Sequence, residues 1–92
     1  MNEKLLEKKL REEVKKLEGL ALKFTSSTYT GMPDRIVLMP KGKVYFVELK
    51  TTGQNVTSLQ WVAIARLDSL EQDWTVIDDQ QKLDMFLTRI AP

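Results

Sequence analysis

The chain contains neither cysteine nor histidine. A disulfide framework, a thiol nucleophile, a thiolate or imidazole zinc site and histidine acid/base chemistry are therefore all excluded. Any catalysis has to run on carboxylates, lysine, hydroxyls or a hard metal ion. A one-sided charge is missing too: the net charge is +1 with 29% charged residues, so a nucleic-acid surface could only be a local patch. No apolar run approaches the length of a membrane span, and the charged start Met1-Asn2-Glu3-Lys4 lacks the apolar segment of a signal peptide. No membrane association and a cytoplasmic location are expected. Its 92 residues suit one domain, 1–92, with a single modest core.

What is present organises itself around hydrophobic periodicity. Residues 3–18 predict an amphipathic helix, because Leu6, Leu10, Val14 and Leu17 recur at helical spacing and Glu18-Gly19 supplies a stop. Residues 20–25 suit a strand, and the hydroxyl-rich Ser26 to Thr30 a loop. Arg35 to Met39 and Val44 to Lys50 predict two strands joined by the turn 40–43, an antiparallel hairpin. After the loop 51–55, a helix opens at Val56-Thr57 and runs to about Leu70; Thr57 and Gln60 fit a capping box, with Val56 and Trp61 placed for a hydrophobic staple. Trp74 to Ile77 predicts a fourth strand, and Asp78 or Asp79 can cap a last helix carrying Leu83, Phe86, Leu87 and Ile90 on one side. The order α-β-β-β-α-β-α, with a helix between the last two strands, implies a mixed sheet of about four strands flanked by helices, an α/β (α+β) class.

Within that order, Asp34, Glu48 and Lys50 are the chemically informative residues. Side chains alternate along a strand, so Glu48 and Lys50 share one face and Leu49 takes the other. In the hairpin the start of one strand lies beside the end of the next, which brings Asp34 next to Glu48-Leu49-Lys50. Two hard oxygen donors and a cation suit a divalent metal and an attacked phosphodiester. The bland alternative is a surface ion pair and a turn aspartate after Pro33.

Gly31-Met32-Pro33-Asp34-Arg35, then Val47-Glu48-Leu49-Lys50, Gly53 and Gln60, resemble the VRR-NUC branch of the PD-(D/E)XK nucleases. The resemblance spans nearly the whole chain and implies a restriction-endonuclease-like fold of the stand-alone bacterial or phage type, working in the cytoplasm of a bacterium or phage-infected host. By it, Asp34 and Glu48 would coordinate Mg²⁺ or Mn²⁺ with the Leu49 carbonyl, and Lys50 would handle the attacking water. Gln60 would reach toward the site, although its role as capping partner of Thr57 is an open rival. Aligning Leu6 to Leu10 with the family pattern picks Glu7 as a third acidic ligand; it lies about 20° from Val14 on the helical wheel, but Glu3 and Glu13 also border the stripe, so periodicity alone does not choose. Two departures stand out: Ser58 occupies a place where proline is frequent, and Glu71-Gln72-Asp73 one where a glycine turn is common.

The charged residues of the first helix mix signs, which suits a solvated face better than a DNA footprint. Lys23, Arg35, Lys41, Lys43 and Arg66 are candidates for phosphate contacts around a cleft. The hydroxyls of residues 26–30 could touch a substrate backbone or simply form a loop. The leading expectation is a metal-dependent DNA endonuclease without a small-molecule cofactor, selective for branched or four-way-junction DNA and acting as a homodimer. The alternative is a non-catalytic DNA-binding or assembly module on the same fold.

Overall fold

The computed structural model describes residues 1–92. Helix α1 spans Glu3–Lys16. Asn2 caps it, its side-chain oxygen accepting the Leu5 N–H at 2.8 Å, and Leu6, Leu10 and Val14 form the buried stripe. The chain leaves the helix through Glu18, at φ 68°, and not through the glycine beside it. Gly19 is needed for space: a Cβ there would stand 2.4 Å from the Met39 sulfur and 2.7 Å from the Leu38 carbonyl oxygen.

Strands β1 (Leu20–Lys23), β2 (Arg35–Met39) and β3 (Lys43–Leu49) form an antiparallel meander, and the β2–β3 connection is a single 3₁₀ turn, Pro40–Gly42, with Lys41 at φ 68°. Helix α2 (Ser58–Ser69) crosses over to β4 (Asp73–Ile77), which pairs parallel with β3, so the sheet order is β1-β2-β3-β4. Helix α3 (Gln80–Ile90) follows, capped by Asp79, whose carboxylate accepts the Lys82 N–H at 2.8 Å. The expected mixed sheet of four strands flanked by helices is present. Boundaries differ by a residue or two: β1 stops at Lys23, and Lys50 lies just beyond β3.

Alternation along the strands divides the sheet into two faces. Val37, Met39, Tyr45, Val47, Leu49 and Ile77 face Leu6, Leu10 and Val14 of α1 and Leu83, Phe86 and Ile90 of α3 in the main core. The opposite face carries Ile36, Phe46, Glu48 and Trp74, partly covered by α2 through the buried Ala63, Ile64 and Leu67. Phe24 meets Phe46 edge-on at 6.0 Å, and Trp61 of α2 meets Trp74 at 6.3 Å. That thinner side, covered by one helix, holds the polar cluster described next. No helix is long and apolar enough to cross a membrane.

Candidate active site

In the hairpin register Arg35 pairs with Val47. The preceding Asp34 therefore lies opposite the end of β3, and its Oδ1 accepts the Leu49 N–H at 3.4 Å. Asp34 also accepts the Phe24 N–H through its carbonyl at 2.9 Å, tying the end of β1 to the same corner. Glu48 points to the α2 side and is only 3% exposed. Its Oε2 accepts a hydrogen bond from Gln60 Nε2 at 3.2 Å and lies 3.9 Å from Lys50 Nζ. Its Oε1 is buried with no partner.

An unpartnered carboxylate oxygen in such a place carries an electrostatic cost. Burial pushes the Glu48 carboxyl from 4.5 up to about 7, repulsion from Asp34 adds to the shift, Lys50 opposes it, and the charge of Glu3 also raises it. A positive charge of two units beside Oε1 would reverse the shift. The donor set, two neighbouring carboxylates of which one keeps a free oxygen, is that of hard-cation sites.

Gln60 resolves a choice that sequence left open by doing both things at once. Its Oε1 accepts the Thr57 N–H at 2.9 Å while its own N–H donates to Thr57 Oγ1 at 3.2 Å, a complete capping box. The other end of the same amide reaches Glu48.

No family model matches the chain. A protein of Acyrthosiphon pisum secondary endosymbiont phage 1, named "Putative nuclease p44", is 42% identical over 80 residues, covering 87% of this chain and 86% of that protein. A solved structure described as a VRR_NUC domain superposes with a TM-score of 0.86 at 24% identity over 94% of each chain. This chain belongs to the VRR-NUC nuclease family.

Around this VRR-NUC centre the remaining candidates fall into place unevenly. Glu7 does not join Asp34 and Glu48: both its oxygens are held by Arg11 Nη1 at 2.8 and 2.9 Å, one helical turn on. It lines a polar cleft of about 400 Å³ with Glu3, Lys4, Lys23 and Arg35, and no three acidic side chains come together as a ligand group. Glu3 is the α1 acid whose charge reaches Glu48, and its N–H donates to Thr51 Oγ1 at 3.0 Å, which moors the start of α1 just beyond Lys50. Glu3 borders the apolar stripe in sequence, and its place as the first residue after the cap is what the topology sets beside the end of β3.

Among the basic candidates, Lys23 lines the polar cleft and is exposed. Arg35 is 8% exposed and takes the core-side face with Val37 and Met39, its Nη1 binding Asp34 Oδ2 at 3.1 Å. It therefore serves Asp34 first, as a charge partner. Lys41 and Lys43 lie at the far end of the hairpin, with Met39, Tyr45 and Arg89 around a separate hollow, roughly 15 Å from the site at ~3.3 Å per strand residue. Arg66 sits on α2 beyond Gln60, lining an apolar pocket. The structure thus brings Asp34, Glu48, Lys50 and Gln60 together, with the Leu49 N–H bonded to Asp34.

Proposed function

We infer that this chain is a divalent-metal-dependent DNA endonuclease that hydrolyses phosphodiester bonds by in-line attack of water. The observation that carries the reading is the Glu48 carboxylate, buried beside Asp34 with one oxygen lacking any partner. Asp34 and Glu48, with the Leu49 carbonyl, would hold Mg²⁺ or Mn²⁺; Glu7 could add an oxygen only by leaving Arg11. When bound, the ion supplies Lewis acidity and charge neutralisation at the scissile phosphate.

The protein groups divide the remaining work. The Lys50 side chain, 15% exposed and 3.9 Å from Glu48, has its ammonium confined at the mouth of the site. There it orients the attacking water and faces the negative charge that builds on the phosphate as the new P–O bond forms and the ester bond breaks. Gln60 fixes Glu48 through its amide, so that one oxygen is committed and the other is free. Arg35 offsets part of the Asp34 charge from the core side.

Branched DNA and a homodimer complete the proposal. The edge strand β1 exposes Leu20 and Leu22 along an unpaired backbone edge, a surface suited to a second copy. Two sites related by a twofold axis would suit a four-way junction, which offers two equivalent phosphates.

The test uses purified protein with Mn²⁺ or Mg²⁺ on duplex, flap and four-way-junction DNA, alongside sizing of the native protein. Lys50→Ala should lower the cleavage rate by about a hundredfold or more, and Asp34→Asn should abolish Mn²⁺ uptake in calorimetry. Glu7→Gln, a residue already occupied by Arg11, should cost far less. Full activity of Lys50→Ala would overturn the mechanism.

A further inference from the structure

A pocket of about 230 Å³ opens between the loop 25–33 and α2, lined by Phe24, Ser26, Tyr29, Met32, Arg66 and Leu67, with Ala63 and Leu70 completing its walls. Both walls start at the active site. The loop runs directly into Asp34, and α2 begins with Gln60 in its first turn. The two are in close contact there, since a Cβ on Gly31, itself at φ 89°, would stand 2.5 Å from the Leu59 carbonyl oxygen. The pocket lies about 5 to 15 Å beyond Gln60 along α2 at ~1.5 Å per residue, from Ala63 to Leu70. That is the reach of a nucleotide next to one whose phosphate sits at Glu48.

We propose that this pocket receives the base of an unpaired nucleotide beside the scissile phosphate. The proposal rests on the endonuclease reading and narrows its substrate to DNA with an extrahelical or frayed base at the cut. Size is the first reason: the pocket is smaller than the ~300 Å³ at which ordinary small-molecule sites begin, and too small for the face of a helix. Chemistry is the second. Phe24, Tyr29 and Met32 offer aromatic and thioether surfaces for a planar ring. Arg66 is exposed and makes no ion pair with any carboxylate, so its guanidinium is available to stack or to meet the adjoining phosphate. Ser26 Oγ accepts the Tyr29 N–H at 3.1 Å, which leaves its hydroxyl proton for an acceptor on the base edge.

Three oligonucleotides of equal length test this in EDTA, where no cleavage intervenes: a fully paired duplex, the same duplex with one unpaired base, and the latter with an abasic nucleotide at that position. The protein should bind the unpaired-base DNA about tenfold tighter than the abasic DNA, the worth of one base–aromatic stack. Tyr29→Ala, an exposed loop substitution, should erase that preference and leave affinity for the paired duplex unchanged, whereas Tyr29→Phe should keep it. Equal affinity for base and abasic DNA, or a preference that survives Tyr29→Ala, would overturn the proposal. Failure of the endonuclease reading is scored separately, by the Mn²⁺-dependent cleavage of paired and branched DNA that Lys50→Ala should remove.

Discussion

At the scale of the residue, Glu48 is held in conflict by its surroundings. Its carboxyl titrates near 7 in the fold, against 4.5 for the ordinary group. The folded protein therefore binds a proton more tightly than the unfolded chain does, and this contribution to stability is whole below about pH 4.5 and is lost as the pH rises through about 7. In a chelator, the parent should lose roughly 3 kcal/mol from this group between acid and alkaline conditions, at ~1.4 kcal/mol per pH unit. Glu48→Gln, which cannot ionise, should remove most of that slope and be the more stable protein at pH 8.5. Urea denaturation at a series of pH values measures it, and parallel profiles for parent and variant would refute it.

At the scale of the element, two backbone positions make opposite demands. Glu71, between α2 and β4, adopts φ 57° without being glycine. Glu71→Gly relieves a left-handed conformation costing ~1–2 kcal/mol and gives back part of that in chain entropy, so a net gain of about 0.5–1 kcal/mol is expected in thermal or urea unfolding. Gly19→Ala should do the reverse, by about 1–3 kcal/mol, because its Cβ would run into the Leu38 carbonyl, which the β1–β2 ladder holds in place. The elements themselves were legible: the stripe Leu6, Leu10, Val14 and the hairpin around Pro40–Gly42 follow from periods of 3.6 and 2. The pairing of Asp34 with the end of β3 followed from hairpin order alone. Strand alternation also held the position of Arg35, on the Val37 side, and hairpin order that of Lys41 and Lys43, away from the site; grouping them by charge passed over both signals. The partner of Glu7 was not legible. A helical wheel gives direction around an axis and says nothing of what stands at the end of the sheet, and the capture of Glu7 by Arg11 one turn on is a local competition invisible to the stripe.

At the scale of the whole molecule, metal and fold should be coupled. An ion that binds the folded form alone stabilises it by about 2.7 kcal/mol at a hundredfold excess over its Kd. Calorimetric scans in millimolar Mg²⁺ should therefore raise the Tm of the parent and leave Asp34→Asn unmoved, and the rise should be larger at pH 8 than at pH 6, where protons compete for Glu48. An equal rise in the two proteins would place the ion elsewhere. The Gln60 amide, joined at one end to Thr57 and at the other to Glu48, has a consequence for how the gene can change. Residues 51–56 are mostly exposed and hold no catalytic group, the kind of segment that ordinarily drifts in length. That segment can therefore change by a residue while α2 stays docked, whereas one residue added or removed between Thr57 and Gln60 turns the amide by about 100° about the α2 axis, away from its cap partner or from the carboxylate. The spacing of Thr57 and Gln60 is thus as constrained as the identity of the two residues.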